Sequence, residues 1–314
     1  MRIVFFGSPD DSLPALDALS NSRHSVLACY TQPDRKAGRG RKLLPTAVKI
    51  QAEELGIPVF SPTRLKGNDE EVSRLTELNA DAFVVVSYGR ILPKELLDLP
   101  KFGVINIHPS LLPKFRGPSP VVSAILEGVD RTGVSIMFLD EGMDTGPVLA
   151  QSNPVTLSGN ELASELQRKL FTVGASLLTS TLDDLENGTA IATAQDDSAA
   201  TVTSLIEKGD GEIDWSESAE VIDRKIRALN PWPGTFTTFE GSNLKILEAN
   251  ETSLDSQPGQ AFIKEGNLYV GTGTAALQIQ SLQLAGKPRL NATDFVRGYP
   301  RVDGVTLGSY AVSI

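Results

Sequence analysis

The stretch Ala82-Phe83-Val84-Val85-Val86-Ser87 is a continuous apolar run that is rich in β-branched residues. Such a run is typical of a central strand of a parallel sheet, which is buried on both faces. Other short β-type runs lie at residues 2–6, 25–31, 103–108, 132–139 and 148–155. Segments with helical spacing separate them, at residues 10–19, 45–55, 69–78, 120–127 and 161–185. This alternation predicts a doubly wound, open α/β sheet, that is, a Rossmann-like fold.

The character of the sequence changes at about residue 190. Residues 190–203 are rich in Ala, Thr, Asp and Ser without clear periodicity, and the following helix is predicted over 219–229. Short β-type segments separated by turn residues then follow, a pattern typical of a small β-barrel such as the OB fold. We therefore predict an α/β domain over residues 1–189, a linker over 190–207 and an OB-like domain over 208–314.

Composition excludes several classes of protein. The 314 residues carry a net charge of −10 and a single cysteine, so neither a disulfide framework nor a zinc-cysteine site is expected. No run reaches the ~20 apolar residues that a membrane helix needs, and we expect a cytoplasmic protein. Gly7-Ser8-Pro9 is not a G-x-G-x-x-G fingerprint, so NAD is not expected. The acidic surface repels phosphate, and any RNA contact must come from local basic patches.

Two polar side chains stand at the end of the strand predicted over residues 103–108. Because side chains alternate along a strand, Asn106 and His108 point to the same face, and Pro109 ends the strand. Ligands of α/β sheets lie beyond the carboxyl ends of the strands. An amide that donates to an oxyanion and an imidazole that moves protons suit acyl transfer. The alternative is a polar pair that only caps the strand.

Two turn-rich segments follow this pair. The first, Ser110-Leu111-Leu112-Pro113-Lys114-Phe115-Arg116-Gly117-Pro118, is either an ordinary connection or an ordered loop over a flat aromatic ligand. The second, Asp140-Glu141-Gly142-Met143-Asp144-Thr145-Gly146-Pro147, follows the strand predicted over 132–139. Taken alone, the second segment is typical of a solvated acidic turn.

Together, Asn106-x-His108 and these two segments resemble the signature of the 10-formyltetrahydrofolate-dependent formyltransferases. The resemblance implies that 10-formyltetrahydrofolate is a co-substrate and that neither a metal nor NAD is required. It also implies that the catalytic residues are Asn106, His108 and Asp144. The folate-binding loop that it implies consists of Ser110, Leu111, Leu112 and Pro113. The resemblance extends over nearly the whole chain. Pro109 departs from the small residue that many relatives carry there, and we expect no loss of activity from it.

The chemistry of formyl transfer gives each of these groups an expected role. Transfer from folate N10 to an amine passes through a tetrahedral oxyanion, which Asn106 and a protonated His108 would stabilise. Asp144 would hold the imidazole and raise the pKa of His108, since an opposite charge favours the protonated form. The carboxylate would also relay the proton of the amine, directly or through water.

Two further features are similar to the branch of the family that formylates initiator methionyl-tRNA. The first is a glycine-punctuated loop on an otherwise acidic chain, which carries Arg35, Lys36, Arg39, Arg41 and Lys42. Flexible cationic loops bind phosphate backbones. The second is the C-terminal region, where Lys287, Arg289, Arg297 and Arg301 form a predicted phosphate-facing strip. We therefore expect residues 208–314 to bind tRNA.

Three other interpretations stay open at this point. The amine acceptor is a small molecule such as a sugar nucleotide, the chain is an RNA-binding module with a decayed site, or the chain is a hydrolase that releases formate. The basic loop and the C-terminal region count against the first interpretation. The complete set Asn106, His108 and Asp144 counts against the second. A monomer is expected, since no apolar stripe suggests an obligate interface.

Overall fold

The computed structural model describes residues 1–37 and 42–308. The chain forms two compact units. The first comprises Met1–Pro120, Arg131–Thr156 and Gln167–Thr203, and the second comprises Val121–Asp130, Leu157–Leu166 and the chain from Ser204 onward. The domain limits predicted above, at residues 189 and 208, stay a prediction.

The first unit is built on a seven-stranded mixed sheet. The strands up to residue 156 are β1 Arg2–Gly7, β2 Ser25–Tyr30, β3 Arg35–Ala37, β4 Lys42–Leu44, β5 Val59–Phe60, β6 Ala82–Val86, β7 Val104–His108, β8 Arg131–Thr132, β9 Ser135–Phe138, β10 Val148–Gln151 and β11 Val155–Thr156. The helices up to residue 187 are α1 Leu13–Ser20, α2 Ala47–Glu54, α3 Asp69–Leu78, α4 Lys94–Leu97, α5 Pro120–Leu126 and α6 Ala163–Asn187.

The strand order of this sheet is β10-β9-β7-β6-β1-β2-β5. The chain moves outward from β1 through β2 to β5, then crosses back to β6 and continues outward on the other side. This reversal is the doubly wound topology predicted from the sequence, and it confirms the α/β fold class. The five buried residues of β6 occupy the middle of the sheet, as the apolar run over 82–87 indicated. The helices begin at polar caps, for example at Thr46, whose side chain accepts from Lys49 N at the start of α2.

Two local predictions in this unit were incomplete. The strand predicted over residues 132–139 is two strands, because β8 pairs with β11 in a separate sheet while β9 pairs with β7 and β10. The chain bends between them at Gly133, where an added Cβ would lie 2.5 Å from Leu111 Cδ2. The basic loop was predicted to be flexible, but its described flanks form an antiparallel ladder in which Arg35 faces Leu44. Residues 38–41 lie outside the described part of the chain.

From residue 204 onward, the described part of the second unit contains an antiparallel six-stranded sheet and two α-helices. Its elements are α7 Ala219–Ala228, β12 Thr235–Phe239, β13 Ser242–Glu251, β14 Ala261–Lys264, β15 Asn267–Val270, β16 Leu277–Leu284, β17 Leu290–Asn291 and α8 Ala292–Gly298. The main order is β12-β13-β16-β15-β14, and β17 pairs with β16. The two edge strands are joined through residues near 307, because Leu307 N donates to Gly259 O and Gly308 N donates to Thr238 O. This closed arrangement agrees with the predicted small barrel.

The core of the second unit explains why these short strands hold together. Alternate residues of β12 and β13, among them Phe239, Leu244 and Ile246, point inward and pack with Trp215 and Ile222. The opposite residues of the same strands face solvent, as expected for an antiparallel sheet with one buried face. Within the described residues, every helix is too short or too polar to cross a membrane.

Candidate active site

The candidate site lies at the carboxyl end of β7. This strand pairs with β6 on one side and with β9 on the other. Asn106 and His108 extend to the same face of β7, since one residue separates them. His108 is buried, whereas Asn106 is partly exposed. The structure therefore places the predicted amide and imidazole together at the edge where α/β sheets bind ligands.

Two oxygen atoms determine the state of the His108 ring. Nε2 lies 2.9 Å from the carbonyl oxygen of Phe115. A carbonyl only accepts hydrogen bonds, so Nε2 carries the proton and Nδ1 presents its lone pair in the neutral ring. Nδ1 lies 3.6 Å from Asp144 Oδ2. The basic nitrogen of the ring thus faces the carboxylate.

Burial has the largest effect on the pKa of the His108 ring. Removal from water lowers the pKa of His108, and the opposing effects of the Asp144 carboxylate and the Phe115 carbonyl do not restore it. The charge of Asp144 by itself raises the pKa of His108, as predicted. Burial lowers this pKa by more, so the pKa of His108 lies below its ordinary value. The protonated imidazole that the sequence analysis expects to stabilise the oxyanion stays a prediction. In the neutral ring, Nδ1 is the nitrogen that accepts a proton.

The backbone brings Asp144 to His108 through a constrained turn. Asp144 has a positive φ of 55°, and its Oδ2 accepts a hydrogen bond from Gly117 N at 2.8 Å. Phe115 is also left-handed, with a φ of 58°, which is unusual for a bulky residue. A Cβ on Gly146 would lie 1.9 Å from Phe138 O, so only glycine fits beside the strand. Strained residues that face the same imidazole are typical of a functional site.

A segment that sequence reasoning treated as a linker fixes these loops. Gln195 Nε2 donates to Asp144 O at 2.8 Å and to Gly146 O at 2.7 Å. Arg116 Nε donates to Gln195 Oε1, and Arg116 Nη2 contacts Asp197 at 2.8 Å. Thr201 Oγ1 accepts from Phe115 N at 2.8 Å. We call residues 193–203 the strap.

The strap thus holds both partners of His108 by backbone and side-chain hydrogen bonds. Its composition carries no periodic signal, and Gln195 and Arg116 were missed for that reason. Their only sequence signal is the presence of polar residues with several donors, which is common in loops.

The residues predicted to bind folate form a fixed segment next to His108. Ser110 and Leu112 are buried, while Leu111 and Pro113 are partly exposed. Ser135 Oγ donates to Ser110 O at 2.8 Å and accepts from Leu112 N at 3.0 Å. Ser110 and Leu112 are thus engaged with the protein itself, and the folate-binding role of the segment stays a prediction. Of the four side chains, those of Leu111 and Pro113 are the ones with surface exposed to solvent.

The loops after β6 and β9 adjoin at this same edge. Lys94 Nζ lies 3.1 Å from Glu141 Oε1 and links them. Each loop exposes a large apolar side chain, namely Ile91, which is 91% exposed, and Met143, which is 61% exposed. Sequence reasoning missed Ile91. Its position just beyond the end of a central parallel strand is the signal that would have found it.

The basic loop is described only in part. Arg35 is exposed, and its Nη2 donates to Gln32 Oε1 at 3.0 Å. In the β3–β4 ladder, the backbone of Lys36 pairs with Leu43 and that of Lys42 pairs with Ala37. Arg39 and Arg41 lie outside the described residues.

In the second unit the predicted cationic strip is largely neutralised by nearby acids. Arg289 contacts Glu248 at 3.3 Å and Ser281 at 2.6 Å. Arg301 contacts Glu240 at 2.8 Å, and Arg297 contacts Asp294 at 3.1 Å. Lys287 is exposed, and within residues 1–37 and 42–308 it forms no ion pair. The tRNA-binding roles of these residues stay a prediction.

One group of side chains has a spacing that suits a metal ion. The ligand atoms of His24, Asp183 and Glu186 lie within 4.8 Å of one another. Arg23 already contacts both carboxylates, at 2.5 Å from Asp183 and 2.9 Å from Glu186. A guanidinium in this position opposes the binding of a second cation, so the group is an ion-pair network.

Two models of known protein families match most of the length of the chain. A model of the family described as Formyl transferase matches residues 1–182, and one described as Formyl transferase, C-terminal domain, matches residues 205–300. The methionyl-tRNA formyltransferase of Geobacter metallireducens is 39% identical over 309 residues, covering 98% of this chain and 99% of that protein. That of Roseiflexus castenholzii is 44% identical over 312 residues, with 98% and 99% covered.

Solved structures agree on the fold. HypX from Aquifex aeolicus in complex with tetrahydrofolic acid has a TM-score of 0.63 and 17% identity, covering 99% of this chain and 51% of HypX. The N-formyltransferase from Helicobacter canadensis, solved with folinic acid and dTDP-3-aminofucose, has a TM-score of 0.66 and 18% identity, covering 88% and 97%. At such identities the likeness concerns the fold alone. The family matches and the full-length relatives lead to one conclusion: the chain belongs to the formyl transferase family.

Proposed function

We propose that the chain transfers the formyl group of 10-formyltetrahydrofolate to the α-amino group of initiator methionyl-tRNA. The observation that carries the proposal is the His108 ring, which donates from Nε2 to Phe115 O at 2.9 Å and turns Nδ1 toward Asp144 at 3.6 Å. This geometry supplies a neutral base beside a carboxylate in a buried position, as transfer to an amine requires.

The base acts on the attacking amine. The amine nitrogen bonds to the formyl carbon, and its proton passes to Nδ1 of His108. The imidazolium that forms is stabilised by Asp144, whose carboxylate is held in place by Gly117 N. Phe115 O keeps the ring from turning, because it holds the other nitrogen.

The same groups serve the departure of the folate. The Asn106 amide, on the face of β7 shared with His108, donates to the tetrahedral oxyanion. As the bond between the formyl carbon and N10 breaks, the proton on Nδ1 passes to N10. The products are the formylated amine and tetrahydrofolate, and His108 returns to its neutral state. Asn106, His108 and Asp144 are thus the proposed catalytic residues.

The co-substrate is proposed to lie across the loops after β6, β7 and β9. These loops offer exposed apolar side chains, Ile91 and Met143, and the ordered segment from Ser110 to Pro113. A flat aromatic ring system gains binding energy from such apolar surfaces, while backbone groups fix its orientation.

Methionyl-tRNA as the acceptor is supported by two observations. Relatives that bear the name methionyl-tRNA formyltransferase match both units of the chain and not the first unit alone. The cation-rich β3–β4 hairpin stands out on a chain of net charge −10. The alternative acceptor is the amine of a sugar nucleotide, such as the dTDP-3-aminofucose with which the Helicobacter canadensis N-formyltransferase was solved. A cytoplasmic location and a monomeric state accompany the proposal as predictions.

The experiment that tests the proposal uses purified chain and 10-formyltetrahydrofolate with three separate acceptors. These are methionyl-tRNA, free methionine and an amino sugar nucleotide. We expect rapid formylation of methionyl-tRNA alone. Transfer to the sugar nucleotide alone would overturn the acceptor while preserving the chemistry. Release of formate at the same rate without any acceptor would instead identify a hydrolase.

A further inference from the structure

A cavity of about 460 Å³ opens on the second unit, and no residue around it belongs to the catalytic set. Its volume falls within the roughly 300–1,000 Å³ typical of small-ligand sites. It is lined by Lys208, Gly209, Trp232, Pro233, Phe236, Asn243 and Lys245. Aromatic rings, cationic side chains and one amide therefore surround the same space.

One wall of the cavity is the outer face of the β12–β13 hairpin. Phe236 pairs with Lys245, and Thr238 pairs with Asn243, so these side chains share the face that points away from the core. The opposite face carries the buried residues of the same strands. An aromatic ring and a lysine side by side on an outer sheet face are not required for packing of the barrel.

A second wall is the short turn Lys208–Gly211. It lies close to β12, since a Cβ on Gly211 would come within 2.2 Å of Gly234 O and 3.2 Å of Phe236 Cε1. Ile213 N donates to Phe236 O at 2.9 Å and holds the turn in place. The Asp210 carboxylate accepts a hydrogen bond from Glu207 N at 2.7 Å and is thus directed to the turn. Among the described residues, neither Glu207 nor Asp210 lines the cavity.

Trp232 forms the third wall and is the unusual member of the group. It is 57% exposed, although the loop that carries it is firmly held. Gly234 N donates to Leu229 O at 2.9 Å, and Asn230 Nδ2 donates to Leu247 O at 3.3 Å. An exposed indole ring on a held backbone loses little further conformational entropy when a flat ligand stacks on it.

Charge narrows the class of ligand. Within residues 1–37 and 42–308, neither Lys208 nor Lys245 forms an ion pair, whereas Arg289, Arg297 and Arg301 of the same unit each do. Two unpaired ammonium groups on a chain of net charge −10 favour an anionic partner. Aromatic platforms combined with cations are the means by which proteins hold unpaired nucleotides.

We propose that this cavity binds an unstacked nucleotide of the RNA substrate. The base stacks on Trp232 and Phe236, Asn243 bonds its edge, and the flanking phosphates meet Lys208 and Lys245. The identity of the RNA rests on the proposed function, but the binding of a single-stranded nucleotide does not depend on turnover.

The test is a fluorescence titration of the full chain with short single-stranded oligoadenylate. The chain has two tryptophans, and Trp215 is buried with its Nε1 donating to Thr237 at 3.0 Å. Trp232 therefore accounts for the emission that a stacked ligand can reach. We expect oligoadenylate to quench this emission and inorganic polyphosphate to leave it unchanged. Equal quenching by polyphosphate would overturn the stacking interaction.

Variants separate stacking from charge, with binding followed by the anisotropy of labelled oligoadenylate. Trp232→Ala should weaken binding about 10- to 100-fold, and Trp232→Phe should restore most of it, because a base stacks on either ring. Lys208→Ala and Lys245→Ala should each lower the slope of log affinity against log salt by about 0.7. Lys264→Ala, an exposed lysine outside the cavity, is the matched control and should change nothing.

The outcomes for this site and for the proposed function are distinct. Unchanged oligoadenylate binding by Trp232→Ala would overturn the site, even if methionyl-tRNA is formylated normally. Quenching by oligoadenylate in a chain that does not formylate methionyl-tRNA would retain the site and overturn the acceptor. Since Trp232 is largely exposed, its variants should fold, and thermal melts recorded with each titration check this.

Discussion

The surroundings of His108 and the surface that carries Lys287 and Arg289 are organised in opposite ways. Around His108, each polar group has a fixed partner. Nε2 contacts Phe115 O, and Nδ1 lies beside Asp144, whose carboxylate accepts a hydrogen bond from Gly117 N. On the second unit, Lys287 and Arg289 are exposed, and Arg289 contacts an acid of the same surface. Chemistry needs groups held to within a fraction of an ångström, whereas attraction to a phosphate backbone tolerates movement.

This contrast predicts different sensitivities to substitution. A change at the fixed site should alter the rate sharply and the salt dependence hardly at all. A change on the exposed surface should do the reverse. The predictions below test this difference from the largest expected effect to the smallest.

Replacement of His108 should have the largest effect. His108→Ala removes the base, and we expect kcat/KM for formyl transfer to fall by roughly 10²- to 10⁴-fold. His108→Gln retains a donor for Phe115 O but has no basic nitrogen, so it should lose as much. Circular dichroism and thermal melts of both variants establish that they fold. Near-normal transfer by either one would contradict the mechanism.

Replacement of Asp144 should have the second largest effect and should also move the pH profile. Asp144→Asn removes the charge 3.6 Å from Nδ1, and we expect kcat to fall about 10- to 100-fold, since each pKa unit is worth a factor of ten.

The pH profile follows from the direction of the His108 pKa, which burial places below its ordinary value. The neutral ring is the active base, so kcat/KM should be level near neutral pH and should fall as the pH drops through this lowered pKa. Loss of the Asp144 charge lowers the pKa further and moves the fall to lower pH. A shift to higher pH in Asp144→Asn would show that the carboxylate does not act on His108.

Replacement of Gln195 tests whether the strap positions the catalytic loop. Gln195→Ala leaves the carbonyls of Asp144 and Gly146 without their donor, and unfolding free energy should drop by about 1–3 kcal/mol. We expect a smaller kcat with little change in the KM for tRNA. Gln195→Glu retains the acceptor for Arg116 but lacks the donors, so it should be as impaired. Gln257→Ala, at an exposed glutamine, is the control. Wild-type kcat in both Gln195 variants would exclude a positioning role.

The cations predicted to contact tRNA should give the smallest effects on rate. Arg41→Ala and Lys287→Ala should each raise the KM for tRNA. Each should also reduce the slope of log tRNA affinity against log salt concentration by about 0.9, the value for one phosphate contact. Arg289→Ala should change this slope less, because Arg289 is already paired with Glu248. Binding of folate, measured separately, should stay the same. A salt slope that none of these variants changes would remove them from the RNA contact.

Much of the fold was predictable because its signals are local. The apolar run over residues 82–87 indicated the buried strand β6, and the helix predicted over 69–78 coincides with α3. The strand predicted over 132–139 was harder, because its division depends on Gly133 meeting a side chain from another loop. The β3–β4 ladder was missed since its flanking residues are charged and the pairing is short.

The sequence by itself determined the order of strands and helices, the position of Asn106 and His108 at the end of one strand, and the family that their motif resembles. These properties follow from the period of apolar residues and from residue identity, which are written locally in the chain. Only the tertiary structure decided which nitrogen of His108 is basic and which way its pKa moves. Those depend on a backbone carbonyl, on burial and on the strap, and backbone groups brought together from distant segments leave no pattern in the sequence.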